Sequence, residues 1–162
     1  EYCRDKLGLD GSGYAIISSV YFVGAMIASI SLPYLKKYVL NSKSIVLFII
    51  LYLFSVILLF ISPNYYLAGL MILLSGVFHA YWWAGVLLSL QIISDERFKG
   101  RVISFFFATL GLVGIGFILG GFFGTKFSSI VVASASGFIL FATHFALYIF
   151  SSSFRNLNSY RQ

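Results

Sequence analysis

The sequence predicts an all-α integral membrane protein with five membrane-spanning helices, and its composition and charge distribution carry this prediction. Of its 162 residues, 60% are hydrophobic and only 10% are charged, whereas soluble domains average about 45–50% apolar and about 25% charged residues. A soluble fold of this size would expose large apolar patches to water. The composition therefore excludes a soluble enzyme, a soluble nucleic-acid-binding protein and a disordered tail.

The charged residues leave four long stretches of the chain uncharged: 11–35, 44–94, 102–125 and 127–154. A membrane-spanning helix needs about 20 mostly apolar residues, so three of these stretches hold one helix each. The longest holds two, because Ser62, Pro63 and Asn64 provide a turn near its middle. The predicted spans are Ser12–Ser31, Ile45–Ile61, Tyr66–Ile93, Val102–Phe123 and Ser128–Phe150.

The first two spans differ in the polarity of their faces. The first carries hydroxyl and small side chains at helical spacing, namely Tyr14, Ser18, Tyr21, Ala25 and Ser29, beside the small residues Gly24 and Ala28. This face predicts either helix packing with hydroxyl hydrogen bonds or the border of a water-filled pathway. The second span is apolar on every side except at Tyr52 and Ser55, which predicts a lipid-facing helix.

The third span combines polar and aromatic residues near its middle. His79, Tyr81, Trp82 and Trp83 lie too deep for an interfacial aromatic belt, and His79 and Trp83 share a helix face. Ionisable side chains at this depth are costly and usually face the protein interior or a cavity. We expect these residues to border a substrate cavity; the alternative is that His79 is a structural histidine bonded to a neighbouring helix.

Glycines are frequent in the fourth span, and one histidine lies in the fifth. The fourth span and its end contain Gly111, Gly114, Gly116, Gly120, Gly121 and Gly124. Small residues four apart allow helix backbones to approach closely, so these glycines predict a packing face that also permits bending. His144 lies among Phe141, Phe145 and Ala146, which favours structural packing over a functional role.

The basic residues predict how the chain is oriented in the cell membrane. Eight of the eleven Lys and Arg residues lie in segments that share one side: Lys36, Lys37, Lys43, Arg97, Lys99, Arg101, Arg155 and Arg161. By the positive-inside rule this side is cytoplasmic. We expect an external N-terminal segment 1–11, a five-helix membrane domain 12–150 and a cytoplasmic C-terminal tail 151–162. The net charge of +6 is then a topology signal.

The predicted spans lack the residue types that catalysis or metal binding needs. No carboxylate lies within a span, Cys3 is the only cysteine, and the two histidines have no Cys or Asp ligand partners. The sequence also has no phosphate-binding loop of the Walker type. It therefore predicts neither an enzyme nor a protein that binds a metal or a cofactor.

Three segments resemble motifs of the major facilitator superfamily of secondary transporters, over residues 7–150. Residues 7–14 resemble the external segment that leads into the second helix of a six-helix half. Residues 94–101, with Asp95, Glu96, Gly100 and Arg101, resemble the acidic–basic cytoplasmic loop between the fourth and fifth helices. Residues 116–121 are similar to the antiporter motif Gly-Pro-x-x-Gly-Gly, with Phe117 in the position of the proline.

The resemblance implies five helices of a six-helix half-bundle, namely helices eight to twelve of a twelve-helix efflux-type transporter. The loop 31–43 has basic residues but lacks the Asp and Gly of the family motif, a loss more common in the C-terminal half. In such a half the first and fourth helices line the cavity. Because the resemblance begins at the second helix, the third span here corresponds to the fourth helix of the half. The resemblance therefore implies that the cavity is lined by His79, Tyr81, Trp82 and Trp83. The second and fifth helices of such a half face the other half, and the fourth span here corresponds to the fifth helix. The resemblance therefore implies inter-half packing at Gly116, Gly120, Gly121 and Gly124.

The sequence therefore predicts half of an alternating-access exporter of small amphipathic molecules of drug, macrolide or siderophore type. The expected partners are the lipid bilayer, a small-molecule substrate, and the preceding helix and N-terminal half of the transporter; nucleic acid is not among them. Two alternatives stay open: an uptake permease of the same fold, and a truncated or scaffold membrane protein that does not transport.

Overall fold

A computed structural model describes Gly8 and residues 11–157, without the side chains of Tyr14, Phe117 and Ser129. The elements are α1 (Gly11–Val39), α2 (Ser42–Ile61), α3 (Tyr65–Ile93), α4 (Lys99–Ala108), a 3-10 segment (Thr109–Leu112), α5 (Val113–Gly124), α6 (Ser129–Phe150) and α7 (Ser152–Arg155). Five helical segments are long and apolar enough to cross a membrane: α1, α2, α3, α4 to α5, and α6. This confirms the predicted all-α integral membrane fold. Cys3, Arg161 and most of the N-terminal segment 1–11 lie outside the described residues.

The turn between α2 and α3 lies where the sequence predicts it. Asn64 caps α3, because its side-chain oxygen accepts a hydrogen bond from the backbone N–H of Leu67 at 2.9 Å. Asn41 caps α2 through the backbone N–H of Lys43 at 3.0 Å. Each cap satisfies a backbone donor that the helix leaves unpaired.

The end of α1 differs from the prediction. The sequence predicts that the first span ends near Ser31, whereas α1 continues to Val39 and carries Lys36 and Lys37 in its last turn. Positive charge interacts favourably with a helix C-terminus. The helix is therefore longer than the predicted span, which fits a helix that projects beyond the hydrocarbon region. Only residues 40–41 link α1 to α2.

α3 is the centre of the bundle, because α1, α2 and α4 all pack against it. α2 returns the chain across the bundle, so α1 and α3 run in the same direction. Their backbones touch at Gly24 and Gly76. A Cβ atom added to Gly24 would lie 2.1 Å from the carbonyl oxygen of Leu73, and one added to Gly76 would lie 2.1 Å from that of Tyr21. The closest packing among the described residues that involves glycine is therefore between α1 and α3.

α2 has one exposed apolar side and one side packed against protein, so the prediction of a lipid-facing helix describes only part of its surface. Ile45, Ile49 and Ser55 are buried, and α2 packs against both α3 and α6. The opposite side exposes Ile50 and Phe54. Composition did not separate the two sides, because lipid tails and packed helices present equally apolar surroundings. The Ser55 hydroxyl is satisfied within its own helix, by the Leu51 carbonyl at 2.8 Å.

The fourth span is divided into two helices by the 3-10 segment Thr109–Leu112. α4 packs against α3, and α5 contacts α6. Gly111 lies within the interruption, which agrees with the bending that the glycines of this span permit. The two halves of the span thus have different packing partners.

The start of the predicted C-terminal tail is docked on the bundle. α7 is capped by Ser151, whose hydroxyl accepts a hydrogen bond from the backbone N–H of Phe154. The Ser42 hydroxyl donates to the Arg155 carbonyl at 3.1 Å, and Leu157 is only 1% exposed. These contacts attach the segment after α6 to the start of α2.

Candidate functional site

His79 lies at the centre of α3, fourteen positions from each end of the helix. Its Nδ1 atom is 2.7 Å from the hydroxyl oxygen of Tyr21 on α1. Which of the two donates depends on the histidine tautomer, and either arrangement is a hydrogen bond between two helices. Such a bond at mid-depth removes a polar atom from contact with lipid.

The glycine contact between α1 and α3 positions this pair. Tyr21 lies three residues before Gly24, and His79 lies three residues after Gly76. Because the two backbones touch at the glycines, the tyrosine of one helix reaches the histidine of the other. Larger residues at these two positions would separate the helices and lengthen the hydrogen bond.

Aromatic rings from three helices surround His79, including that of Tyr21 at a centroid distance of 5.9 Å. The imidazole centroid is 5.5 Å from that of Tyr52 on α2, 5.3 Å from that of Trp82 and 6.1 Å from that of Trp83. The Trp83 ring is nearly parallel to the imidazole, at an interplanar angle of 24°. We call Tyr21, Tyr52, His79, Trp82 and Trp83 the α3 aromatic cluster.

Trp82 connects this cluster to α6. Its indole Nε1–H donates a hydrogen bond to Nε2 of His144 at 3.2 Å, and Nδ1 of His144 lies 2.9 Å from the Leu140 carbonyl. Since an indole only donates and a carbonyl only accepts, His144 is the neutral tautomer with its proton on Nδ1. His144 is therefore a packing residue with a defined bond, in line with the structural role favoured from sequence.

Tyr81 lies on a different side of α3 from this ring cluster. Its hydroxyl oxygen is 2.6 Å from that of Ser31 on α1, and its ring is 5.1 Å from that of Phe48 on α2. Tyr81 and Trp82 are both buried, at 8% and 9% exposure, whereas His79 and Trp83 are half-buried. Of the four predicted cavity residues, His79 and Trp83 thus retain accessible surface, and the other two are packed between helices.

The family of the chain follows from comparison with known proteins. The model of a family described as transmembrane secretion effector, of the major facilitator superfamily type, matches residues 2–159. The chain belongs to this family. It is thus a membrane transporter of the major facilitator type, as the resemblance of its motifs implies. Comparison with curated proteins and with solved structures gives no match.

The glycines of α5 in this transporter make no close contact with another helix within the described residues. A Cβ atom added to Gly116, Gly120, Gly121 or Gly124 would have no described neighbour within 4 Å. Gly116 and Gly120 line an apolar cleft of about 440 Å³ between α5 and α6, together with residues such as Phe123. The inter-half contact that the family resemblance implies here stays a prediction.

A second apolar cleft, of about 250 Å³, lies between α2 and α6. It is lined by residues that include Leu53 and Gly137. None of the α3 aromatic cluster lines either this cleft or the one at α5. Within the cluster, Trp82 is buried, and His79 and Trp83 are half-buried.

The predicted cytoplasmic motif forms an exposed charged turn before α4. Arg97 donates to the Asp95 carboxylate from its backbone N–H at 2.9 Å and from its side chain at 3.3 Å. These bonds hold the pKa of Asp95 below its usual range, and the bond from the Arg97 side chain has the larger effect. Glu96 is paired with Lys99, and the Arg101 guanidinium lies 5.9 Å from the ring centre of Phe98. An added Cβ at Gly100 meets no neighbour.

The sequence reasoning missed the contribution of Tyr21 and Tyr52 to the cluster. A signal for each was present: Tyr21 lies on the polar face of the first span, and Tyr52 is one of two polar side chains in the second.

Among the described residues, no group of three His, Cys, Asp or Glu side chains is arranged to hold a metal ion.

Proposed function

We propose that this transporter is one half of an alternating-access exporter of small amphipathic molecules, with α3 lining the substrate path. The observation that carries the proposal is the α3 aromatic cluster, in which a histidine at the centre of the middle helix is hydrogen-bonded to Tyr21 and ringed by aromatic side chains. Polar groups at this depth commonly belong to substrate or ion pathways. Secondary transporters place their substrate sites near the bilayer midplane, between two bundles that rock against each other.

The open glycine face of α5 supports a second bundle as the partner. Glycines without neighbours lose the favourable contacts that close helix packing provides, and Gly116 and Gly120 are four residues apart. A helix of the second half packed against this face would bury these glycines. The upstream reading frame is then expected to encode six or seven further spans.

Efflux of the neutral dye Nile red from whole cells tests the transport function. Cells expressing the chain with its upstream coding sequence should retain less dye than cells with an empty vector. Trp83→Ala should raise the apparent KM for the dye while the amount of folded protein stays the same. Phe54→Ala, on the exposed side of α2, is the matched aromatic control and should behave as wild type.

The same assay separates the alternatives. Faster accumulation of dye than in vector cells would favour an uptake permease of this fold. Dye levels equal to those of vector cells, with normal amounts of protein in the membrane, would favour a protein that does not transport.

We propose further that the turn 62–64 is external and the C-terminus cytoplasmic, from the distribution of Lys and Arg. Tyr66 is 86% exposed beside this turn, so Tyr66→Cys, with Cys3 replaced by Ser, should react with a membrane-impermeant maleimide added to intact cells. A fluorescent reporter fused after Gln162 should lie in the cytoplasm. Labelling of Tyr66→Cys only after cell lysis would overturn the orientation.

A further inference from the structure

The polar atoms of the residues around His79 fall into two groups, according to whether they are hydrogen-bonded. The Tyr21 hydroxyl and the Trp82 indole each have a partner on another helix. By contrast, the Tyr52 hydroxyl, the His79 Nε2 atom and the Trp83 Nε1–H have no hydrogen-bond partner among residues 11–157. Three neighbouring rings of the cluster therefore carry polar atoms that the described bundle leaves unpaired.

These unpaired atoms remain accessible. No side-chain polar atom of the described residues is completely buried without a partner, so each of the three atoms keeps some accessible surface. In the hydrocarbon region a polar group without a partner is strongly unfavourable. Packing alone does not account for three such atoms within one cluster, since Tyr81 and Trp82 on the same helix are both satisfied.

The chemistry of the three atoms restricts the ligand. An indole N–H only donates, so Trp83 requires an acceptor such as a carbonyl or ether oxygen, and the Tyr52 hydroxyl can donate to one as well. The only acidic side chains among residues 11–157 are Asp95 and Glu96, which lie in the exposed turn before α4. The spans therefore offer no carboxylate to neutralise a cation at this depth.

We infer that the α3 aromatic cluster binds an uncharged molecule that combines a flat apolar face with hydrogen-bond acceptors, and that it discriminates against organic cations. This inference rests on the proposed function, because it names the substrate class of the same site. The rings of His79 and Trp83, nearly parallel at a centroid distance of 6.1 Å, provide the apolar surface. Tyr52 and Trp83 provide the donors that select for acceptors.

Three bicyclic probes of similar size isolate these features. Coumarin is neutral and has a lactone carbonyl, naphthalene is neutral without an acceptor, and N-methylquinolinium is a cation. Binding to the full chain in lipid nanodiscs is measured by equilibrium dialysis, with the uptake into empty nanodiscs subtracted. We expect coumarin to bind about a hundredfold more tightly than naphthalene, since each of the two donors that it satisfies provides about tenfold. N-methylquinolinium, which has no acceptor, should likewise bind more weakly than coumarin.

Conservative variants test the donors one at a time. Trp83→Phe and Tyr52→Phe keep an aromatic ring but remove the donor, and each should weaken coumarin binding about tenfold while leaving naphthalene binding unchanged. Tyr66→Phe removes an exposed hydroxyl at the far end of α3 and should leave all three probes unaffected. Thermal unfolding of each variant checks that the fold is retained.

The inference is overturned if N-methylquinolinium binds as tightly as coumarin, if neither phenylalanine variant weakens coumarin binding, or if no probe exceeds the empty-nanodisc value. Each of these results is compatible with normal Nile red efflux, which would preserve the proposed function. Conversely, selective coumarin binding without efflux would preserve the site and overturn the transport function.

Discussion

Gly24 and Gly76 meet reciprocally, since a Cβ atom on either glycine would lie 2.1 Å from the carbonyl oxygen of the residue three positions before the other. The contact is between backbones, so no side-chain rotation can relieve an overlap. It fixes the register of α1 against α3 and thereby the 2.7 Å bond between Tyr21 and His79.

The first prediction is that Gly76→Ala separates α1 from α3. The added methyl group overlaps the Tyr21 carbonyl, and we expect a loss of about 3 kcal/mol in the free energy of unfolding. The measurement is thermal unfolding of the protein purified in detergent. Gly69→Ala on the same helix is the control, because its Cβ atom meets no described neighbour within 4 Å. Equal stability of the two variants would show that the backbones do not touch.

The second prediction concerns the bond between Tyr21 and His79. Tyr21→Phe retains the ring and removes the hydroxyl, so it should lower stability by about 1 kcal/mol, as interhelical hydrogen bonds in membranes do. Tyr66→Phe, whose hydroxyl lies in an exposed side chain, should have no effect. A Tyr21→Phe variant as stable as Tyr66→Phe would mean that the hydroxyl does not bond the imidazole.

The third prediction concerns the bond between Trp82 and His144. His144→Phe removes the acceptor of the indole N–H, whereas His144→Gln retains an acceptor oxygen at a similar distance. The indole N–H resonance of ¹⁵N-labelled Trp82 should therefore move to the position of an unbonded indole in the first variant and less so in the second. An unchanged resonance in His144→Phe would contradict the bond.

The positions of most helices could be predicted from sequence, because uncharged stretches and capping residues act locally. Ile61 and Ile93 end α2 and α3 as expected, and Asn64 caps α3 at the predicted turn. The end of α1 at Val39 was missed because hydropathy marks the limits of the membrane rather than the limits of a helix.

Contacts between helices were less accessible from sequence. Tyr21 and His79 are 58 residues apart, and their meeting depends on the register that Gly24 and Gly76 impose. The sequence drew attention to the many glycines of the fourth span, whereas the close backbone contact uses single glycines on two other helices. A glycine count identifies the capacity for close packing but does not identify the partner helix.

The sequence predicted the depth of His79 and Trp83 along α3, but it did not predict that their side chains are half-buried. Which side of the helix faces α1 or α2 depends on the packing of Tyr81 and Trp82, both of which proved to be buried. The histidine and indole that retain accessible surface are the pair singled out from sequence, and their role in substrate binding is the substance of the proposal.

The most direct test of the central claim is the accessibility of Trp83→Cys from the two sides of the membrane, in the transporter with Cys3 replaced by Ser. An alternating-access site on α3 should react with a membrane-impermeant thiol reagent both in intact cells and in inside-out vesicles. Phe54→Cys, exposed on α2, is the lipid-facing control and should react from neither side. If Trp83→Cys reacts no faster than Phe54→Cys from either side of the membrane, α3 does not line a substrate path and the account is contradicted.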